Sequence, residues 1–429
     1  MNEPSISNAL RKVGYEFIQL DARLPKISAS FRPDVLAWAA DAEGKLVPWA
    51  VVEIKHRRAA QPPEAALPAM AKSRDLLGTV DHYAVIDGSW YRADAGLRAL
   101  KPVDGPEPPR YGGYGELDDV DLATALVTDQ LWRWADQQRR EGRAEADYRY
   151  SSVPPGFGSF QIKTELGGPA GLAERIPASK EVLWEACRRA AVDFALRGRE
   201  AGVFTSHPAV ANAVAALAVA KLERDVLDPF CGTGSFLWEA VDHARKHGQR
   251  LNTVLGYDSS DRIVELARSI GSVSPVPVEI THADAFAAEL PLSTCVVSAP
   301  PLGLRTPQSY ELFGGIMTRD GEYAAVDRIL RVLADGGRAV LHVGAGFTFR
   351  TEGERFRRYM ADHFRIAAVI GCPQGSVPGS GIRSVLLVID HAEPGETFVA
   401  QLGEDWETQL APGGAALEAA LEHVDGVRR

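Results

Sequence analysis

The sequence predicts an α/β protein organised on a doubly wound, mostly parallel sheet. Three observations carry this. Short apolar runs alternate with helix-period segments over residues 201 to 392, the pattern of successive βαβ units. One run, Asp225-Val-Leu-Asp228, enters a turn holding Pro229, Gly232 and Gly234 and then an apolar helix-period segment of Phe236, Leu237, Ala240, Val241 and Ala244. Acids close three successive runs: Asp228, Asp258 and Asp284. Ahead of this domain, residues 1 to 103 read as a smaller α/β domain and 104 to 200 as a linker with a helical connector; 393 to 429 read as a short acidic tail.

A chain of 429 residues with 45% hydrophobic content can bury a large core and form two or three domains. The net charge of −10 offers nucleic acid no overall attraction, so phosphate contact would require local basic clusters. No apolar run is long enough for a membrane span, and Met1-Asn-Glu-Pro4 does not open a leader peptide. Cys187, Cys231, Cys295 and Cys372 lie far apart without metal-ligand spacing, so they are expected to be reduced thiols in a cytoplasmic protein.

In the first domain, Ser5 to Leu20 reads as a helix then a strand, and Phe31 to Trp38 as a strand carrying Asp34. A turn at Gly44 leads to the strand Trp49 to His56. Strand alternation puts Glu53 and Lys55 on one face and Ile54 in the core. If the two strands are neighbours, Asp34 meets Glu53 and Lys55. Two carboxylates can hold Mg²⁺, and a lysine beside them can position the water that attacks a phosphodiester. A helix over Glu64 to Leu77 and a strand over Asp81 to Trp90 follow. Pro33-Asp34 with Glu53-Ile54-Lys55, in this element order, resembles the PD-(D/E)xK nucleases, and in particular the N-terminal domain of type I restriction subunits. The resemblance implies a metal site at Asp34 and Glu53 and catalysis by Asp34, Glu53 and Lys55. The Gln-x-x-x-Tyr that members often carry on the helix is absent. His56, Arg57 and Arg58 add positive charge suited to phosphate or to a solvated strand end.

Asp104 to Gly115 is a linker by composition. Asp118 to Arg143 has a helical apolar face, with Trp132 and Trp134 expected in packing. A break at Ser151 to Gly158 precedes a helix from Ser179 to Leu196.

The Gly232/Gly234 turn is neither a dinucleotide fingerprint, since Leu237 stands where a third glycine belongs, nor a P-loop, since Ser235-Phe236 replaces Lys-Ser/Thr. It lets backbone N–H groups at a helix start approach a ligand. Asp228-Pro-Phe-Cys-Gly-Thr-Gly-Ser-Phe236 resembles the first motif of S-adenosylmethionine (SAM)-dependent methyltransferases with a Rossmann-like fold. It is closest to the N6-adenine DNA type found in modification subunits of type I restriction systems. The resemblance implies SAM contacts from Asp228, Pro229, Phe230, Gly232 and Gly234. It also implies a SAM-contacting turn at Thr205-Ser-His-Pro208, where Thr205 or Ser206 could equally be a helix cap. Asp258 ends the strand Val254 to Asp258 and can accept from ribose hydroxyls; by resemblance Asp284 accepts from the adenine amine.

Cys295-Val-Val-Ser298-Ala299-Pro300-Pro301-Leu302 is a fourth strand running into Pro-Pro. Active members of the family carry Asn, Asp or Ser before Pro-Pro and an aromatic after it, to hold the target amine and stack on the flipped base. Ala299 cannot accept a hydrogen bond and Leu302 cannot stack. Ser298 stands one residue early and in a regular strand faces the other side, unless a bulge turns it. A helix over Glu322 to Leu333, strands over Asp335 to Val343, Ile366 to Pro373 and Ser380 to Ile389, and a helix over Phe356 to Phe364 complete the domain. The short tail is expected to leave no room for a full target-recognition domain.

Three readings stand open: an N6-adenine DNA methyltransferase with a fused nuclease-like domain in restriction-modification or phage defence; a catalytically degenerate SAM-binding, DNA-recognition subunit; and a methyltransferase of a non-DNA substrate. The expected partners are DNA and either a separate specificity subunit or further copies of the chain.

Overall fold

Parallel strand pairing dominates the C-terminal half, as the alternation of runs requires. The computed structural model describes residues 3–20, 22, 32–55, 62–128, 161–165, 173–196 and 205–426. His56 to Arg58, Trp132, Trp134, the end of the connector helix at Arg143, the break at Ser151 to Gly158, and Gly202 to Phe204 lie outside them. The chain divides into two units, Met1–Phe194 and Ala195–Arg429.

In the first unit, helix α1 (Glu3–Lys12) precedes strands β1 (Phe17–Leu20), β2 (Val35–Ala40) and β3 (Leu46–Lys55). Helix α2 (Leu67–Leu77) then crosses to β4 (Asp81–Ile86), and β5 (Ser89–Ala93) and β6 (Leu100–Val103) follow. The sheet runs β1-β2-β3-β4-β5-β6. Only β3 and β4, joined through the helix, pair in parallel. The run Asp81 to Trp90 is two strands rather than the one expected. It reverses at Asp87-Gly88, where φ is 49° and 89°, the positive pair that a tight hairpin demands. Ile6, Leu10, Tyr15, Trp38 and Val52 fill the core.

The compositional linker after residue 103 is laid against this unit. Glu107 N donates to the Tyr83 hydroxyl at 3.0 Å and Ala40 N to Gly112 O at 3.1 Å. Gly113 passes so close to Gly14 that a β-carbon would meet its carbonyl oxygen at 1.6 Å. A short hairpin, β7 (Gln161–Glu165) with β8 (Ala173–Pro177), and helix α3 (Lys180–Leu196) follow.

The second unit opens with α4 (Pro208–Ala218) and β9 (Asp225–Asp228), then α5 (Ser235–Lys246), β10 (Thr253–Asp258), α6 (Asp261–Gly271), β11 (Val278–His282) and β12 (Ser293–Ser298). A hairpin of β13 (Arg305–Leu312) and β14 (Ile316–Asp320), which the sequence reading did not anticipate, leads to α7 (Gly321–Val332) and β15 (Leu333–Gly344). Helix α8 (Glu354–His363), β16 (Arg365–Cys372), β17 (Ser384–Asp390), β18 (Phe398–Gln401), α9 (Trp406–Leu410) and α10 (Ala415–Asp425) complete it. The sheet order is β11-β10-β9-β12-β15-β17-β16-β18. β17 runs antiparallel to both its neighbours. Strand order reverses between β9 and β12, and such a switch point opens a crevice at the carboxyl ends of the strands.

One face is packed by Tyr323, Val326, Ile329 and Leu330 of α7 and Phe356 and Met360 of α8 against Leu341, Val343, Leu387 and Ile389. Beyond residue 392 the chain is no loose tail. β18 adds to the sheet beside β16, and Leu410, Leu417 and Leu421 are buried. Arg338 of β15 ties Asp390 at 2.7 Å to Asp425 of α10 at 2.6 Å. No helix among the described residues is long and apolar enough to cross a membrane.

Candidate functional site

β9 ends on Asp228, which is 2% exposed. Its Oδ1 accepts from Phe230 N at 3.0 Å and from the Ser298 hydroxyl at 2.6 Å. Burial pushes this carboxyl up to about 7 against the pull of those two donors. The loop then turns through Gly232 (φ 54°) and Gly234 (φ 87°). At Gly234 a β-carbon would fall 2.3 Å from the Trp238 indole, whose Nε1 donates to Thr233 O at 2.7 Å. Gly234 shapes the loop, while Gly232 faces the crevice.

Asp258, at the end of β10, accepts from Gly232 N at 3.1 Å and Ser260 N at 2.8 Å. Burial raises its carboxyl, opposed by those two N–H groups. Each oxygen keeps a lone pair for a ligand hydroxyl. Asp284 follows β11 and accepts from Phe286 N at 3.0 Å through Oδ1. The rings of Phe230 and Phe286 lie 5.4 Å apart and both line the crevice; the sequence reading did not single out Phe286. Thr205 also lines it and contacts the Thr233 hydroxyl at 3.5 Å. The cap of α4 is neither Thr205 nor Ser206: His207 Nδ1 accepts from Ala209 N at 3.2 Å.

At the other end, Ser298 is fully buried. Its register with β15 is regular, Ser298 opposite Leu341, and the one irregularity in that pairing lies earlier, between Ser293 and Cys295. No bulge turns Ser298 outward; its hydroxyl holds Asp228 instead of reaching the crevice. Ala299, Pro300, Pro301 and Leu302 do line it. So does His342, the residue after Leu341, which is the register partner of Ser298; His342 was not foreseen. Its Nε2 contacts Ser384 Oγ at 2.7 Å, and burial pushes its pKa down to about 4. The loop from Val377 to Ile382 forms another wall.

Together these residues enclose about 630 Å³, within the range of pockets for ligands of nucleoside size. Its contents fit SAM: carboxylates for hydroxyls and an amine, paired aromatic rings for a purine, and the left-handed Gly232 in the loop before the helix. The N-6 DNA methylase family profile matches residues 192–408. The chain belongs to that family.

Its curated relatives include the methylase subunit of the type I restriction enzyme EcoEI from Escherichia coli, 25% identical over 195 residues, 41% of this chain and 39% of that protein. The chain thus spans about two fifths of that relative's length. A class I S-adenosylmethionine-dependent methyltransferase from Listeria monocytogenes has a similar structure. Its TM-score is 0.56 with 17% identity, over 70% of this chain and 97% of that one. The methyltransferase subunit of a type I restriction-modification system from Streptococcus thermophilus gives a TM-score of 0.44 and 20% identity over 50% of each chain. The fold of the second unit is that of the SAM-dependent methyltransferases.

In the first unit, Asp34 lies at the start of β2, and its Oδ2 accepts from Ile54 N at 2.7 Å. Lys55 Nζ stands 2.9 Å from Glu53 Oε2 and 3.8 Å from Asp34 Oδ2. The three predicted side chains therefore meet. Glu53 is 3% exposed, and its buried Oε1 has no hydrogen-bond partner among the described residues. Burial raises the Glu53 carboxyl; the Lys55 hydrogen bond opposes this. No group of three His, Cys, Asp or Glu side chains able to hold a metal occurs among the described residues. Among the described residues, Asp34 and Glu53 are the carboxylates beside Lys55.

Proposed function

We propose that this N-6 DNA methylase family member binds SAM in the crevice of the second unit and methylates an adenine amine in DNA. The observation that carries this reading is the continuity of one cavity from Asp258 and Asp284 to Ala299 and Leu302. A ligand gripped at the acids would extend its far end to the Pro-Pro edge. SAM, when bound, supplies an electrophilic methyl on a sulfonium. Asp258 would hold its ribose and Asp284 its adenine amine, with Phe230 and Phe286 against the purine. Asp228, which also lines the cavity, would fix Phe230 and face the ligand from the loop side. Pro300 and Pro301 would stiffen the rim against which a flipped base is set, so that its amine lies in line with the methyl.

In the first unit, Asp34 and Glu53 are proposed to bind Mg²⁺ and Lys55 to position the water that cleaves a phosphodiester. The antiparallel β2–β3 pair, the α2 crossover and the Asp34–Lys55–Glu53 cluster support this. The role is restriction-modification or phage defence, with DNA as substrate. Because the Escherichia coli relative is one subunit of a restriction enzyme, the proposed partners are a separate specificity subunit or further copies of this chain.

Ala299 and Leu302 favour a second reading, in which SAM is held but no methyl moves and the domain only recognises DNA. Incubation with methyl-labelled SAM and unmethylated DNA separates the two. Label in the DNA, lost in Asp258→Ala, supports the enzyme. SAM binding without transfer supports the recognition subunit, and transfer to a small molecule alone would make the substrate something other than DNA.

A further inference from the structure

A chain of hydrogen bonds leads from β17 to the wall beside Ala299. Ser376 Oγ donates to Pro373 O at 2.7 Å. Ser376 and Ser384 hydroxyls lie 2.7 Å apart, and Ser384 Oγ lies 2.7 Å from His342 Nε2. A carbonyl carries no proton, so Ser376 must spend its own on Pro373. With Ser384 donating to Ser376 and accepting from His342, all three contacts are satisfied at once. This arrangement puts the imidazole proton on Nε2 and leaves Nδ1 an acceptor. The ring lines the cavity, and no described residue hydrogen-bonds Nδ1. Phe236 packs against it, with ring centroids 6.5 Å apart.

We propose that His342 Nδ1 accepts a hydrogen bond from the exocyclic amine of the methyl acceptor, filling the role for which Ala299 has no polar atom. This deepens the proposed function and rests on it. Ser298 and Leu341 are register partners, and the residue after each, Ala299 and His342, lines the same cavity. In the transfer, the amine nitrogen's lone pair forms the new N–C bond as the S–C bond breaks and its pair stays on sulfur. The nitrogen's surplus proton passes to water. A neutral imidazole with a fixed tautomer orients the amine without taking that proton, in keeping with the low basicity that burial imposes on His342. Ser384 is then a positioning residue and His342 a catalytic one.

The test uses the full chain. Two-dimensional spectra of [¹⁵N]histidine-labelled protein report the tautomer directly, with protonated Nε2 and unprotonated Nδ1 expected. Single-turnover transfer of labelled methyl to plasmid DNA made without adenine methylation is then followed, with SAM affinity measured by calorimetry. His342→Phe is expected to slow transfer about 100-fold, the scale of losing one aligned polar contact to a reacting group, with SAM affinity unchanged. His342→Gln, which keeps an acceptor and is the second variant should the Phe protein misfold, should recover most of the rate. An Nδ1–H signal, or transfer undiminished in both variants, overturns this inference and leaves the proposed function standing. No transfer by the unsubstituted chain while it still binds SAM overturns the proposed function, and this inference with it.

Discussion

Asp228 and Ser298 meet across two neighbouring strands in a hydrogen bond of 2.6 Å. The same oxygen, Oδ1, takes Phe230 N, so both donors converge on one atom of a carboxylate that is 2% exposed and costly to charge there. An asparagine can keep Oδ1 in place without that charge. The folded carboxyl titrates at about 7, above its ordinary 3.8. Between those values the folded state binds the proton more strongly than the unfolded state. Its contribution to stability is thus full below about 3.8 and is lost as pH rises through 7. The loss approaches about 1.4 kcal/mol per pH unit in that window. Asp228→Asn should remove this slope, seen as a wild-type-minus-variant difference in urea unfolding that grows from pH 4 to 7. Asp228→Ala, which also lacks the titrating group, should lose the same slope, and below about 3.8 it should cost about 1–3 kcal/mol by leaving Ser298 and Phe230 N unpaired.

His342 carries the opposite sign. Its folded pKa of about 4 lies below the ordinary 6.5. Its contribution is present above 6.5 and is lost as pH falls towards 4. His342→Gln should flatten the acid limb of the stability profile over that interval, measured by thermal unfolding at stepped pH. An unchanged acid limb would show that the ring titrates normally.

Gly234 tests the glycine loop. Its φ of 87° and the Trp238 ring 2.3 Å from a would-be β-carbon act together. Left-handed backbone alone costs a residue with a β-carbon about 1–2 kcal/mol, and the clash adds to it. Gly234→Ala should lower the melting temperature and weaken SAM binding at least tenfold. Trp238→Leu in the same chain should return part of the stability by opening space, while still lacking the Trp238–Thr233 bond.

What was legible in the sequence follows from what is local. The glycine loop, the order of strands in the second unit and the acids at their ends are properties of short stretches, and the structure brings Asp228, Asp258 and Asp284 to one sheet edge. The meeting of Asp34, Glu53 and Lys55 was legible from strand alternation. His342 was not, because its place on the cavity wall comes from pairing between β12 and β15, far apart in sequence, and an isolated histidine in an apolar strand carries no motif. Phe286 was hidden in the same way. The hairpin β13–β14 lacks clean alternation, and five residues of β13, including Arg305 and Gln308, are exposed. The residues after 392 looked like a tail because their acids outweigh their apolar stripe, yet Arg338 reaches across to anchor them.

That anchor is open to measurement. Arg338 is 3% exposed and serves Asp390, Asp425 and Leu217 O. Arg338→Ala strands Asp425 and leaves Asp390 to Arg365, 3.2 Å away. Removing one partner of a buried ion pair typically costs about 3–5 kcal/mol. Urea midpoints should fall accordingly in Arg338→Ala. In Asp425→Asn the fall should be smaller, because Arg338 keeps Asp390.

The first unit offers the sharpest separation of fold from chemistry. Asp34 has a structural task, accepting from Ile54 N at 2.7 Å, that an asparagine oxygen can perform as well. Metal binding needs the charge that asparagine lacks. Asp34→Asn should therefore fold as the wild type does and yet abolish Mg²⁺-dependent nicking of supercoiled plasmid. Lys55→Met removes the hydrogen-bonding cation beside a carboxylate that is 3% exposed, so it should lose nicking and some stability together. Glu53→Gln in that background should recover the stability alone, because a neutral amide no longer requires the ammonium. Nicking that persists in Asp34→Asn, or wild-type protein that never nicks in Mg²⁺, would leave the cluster as packing at the edge of β3.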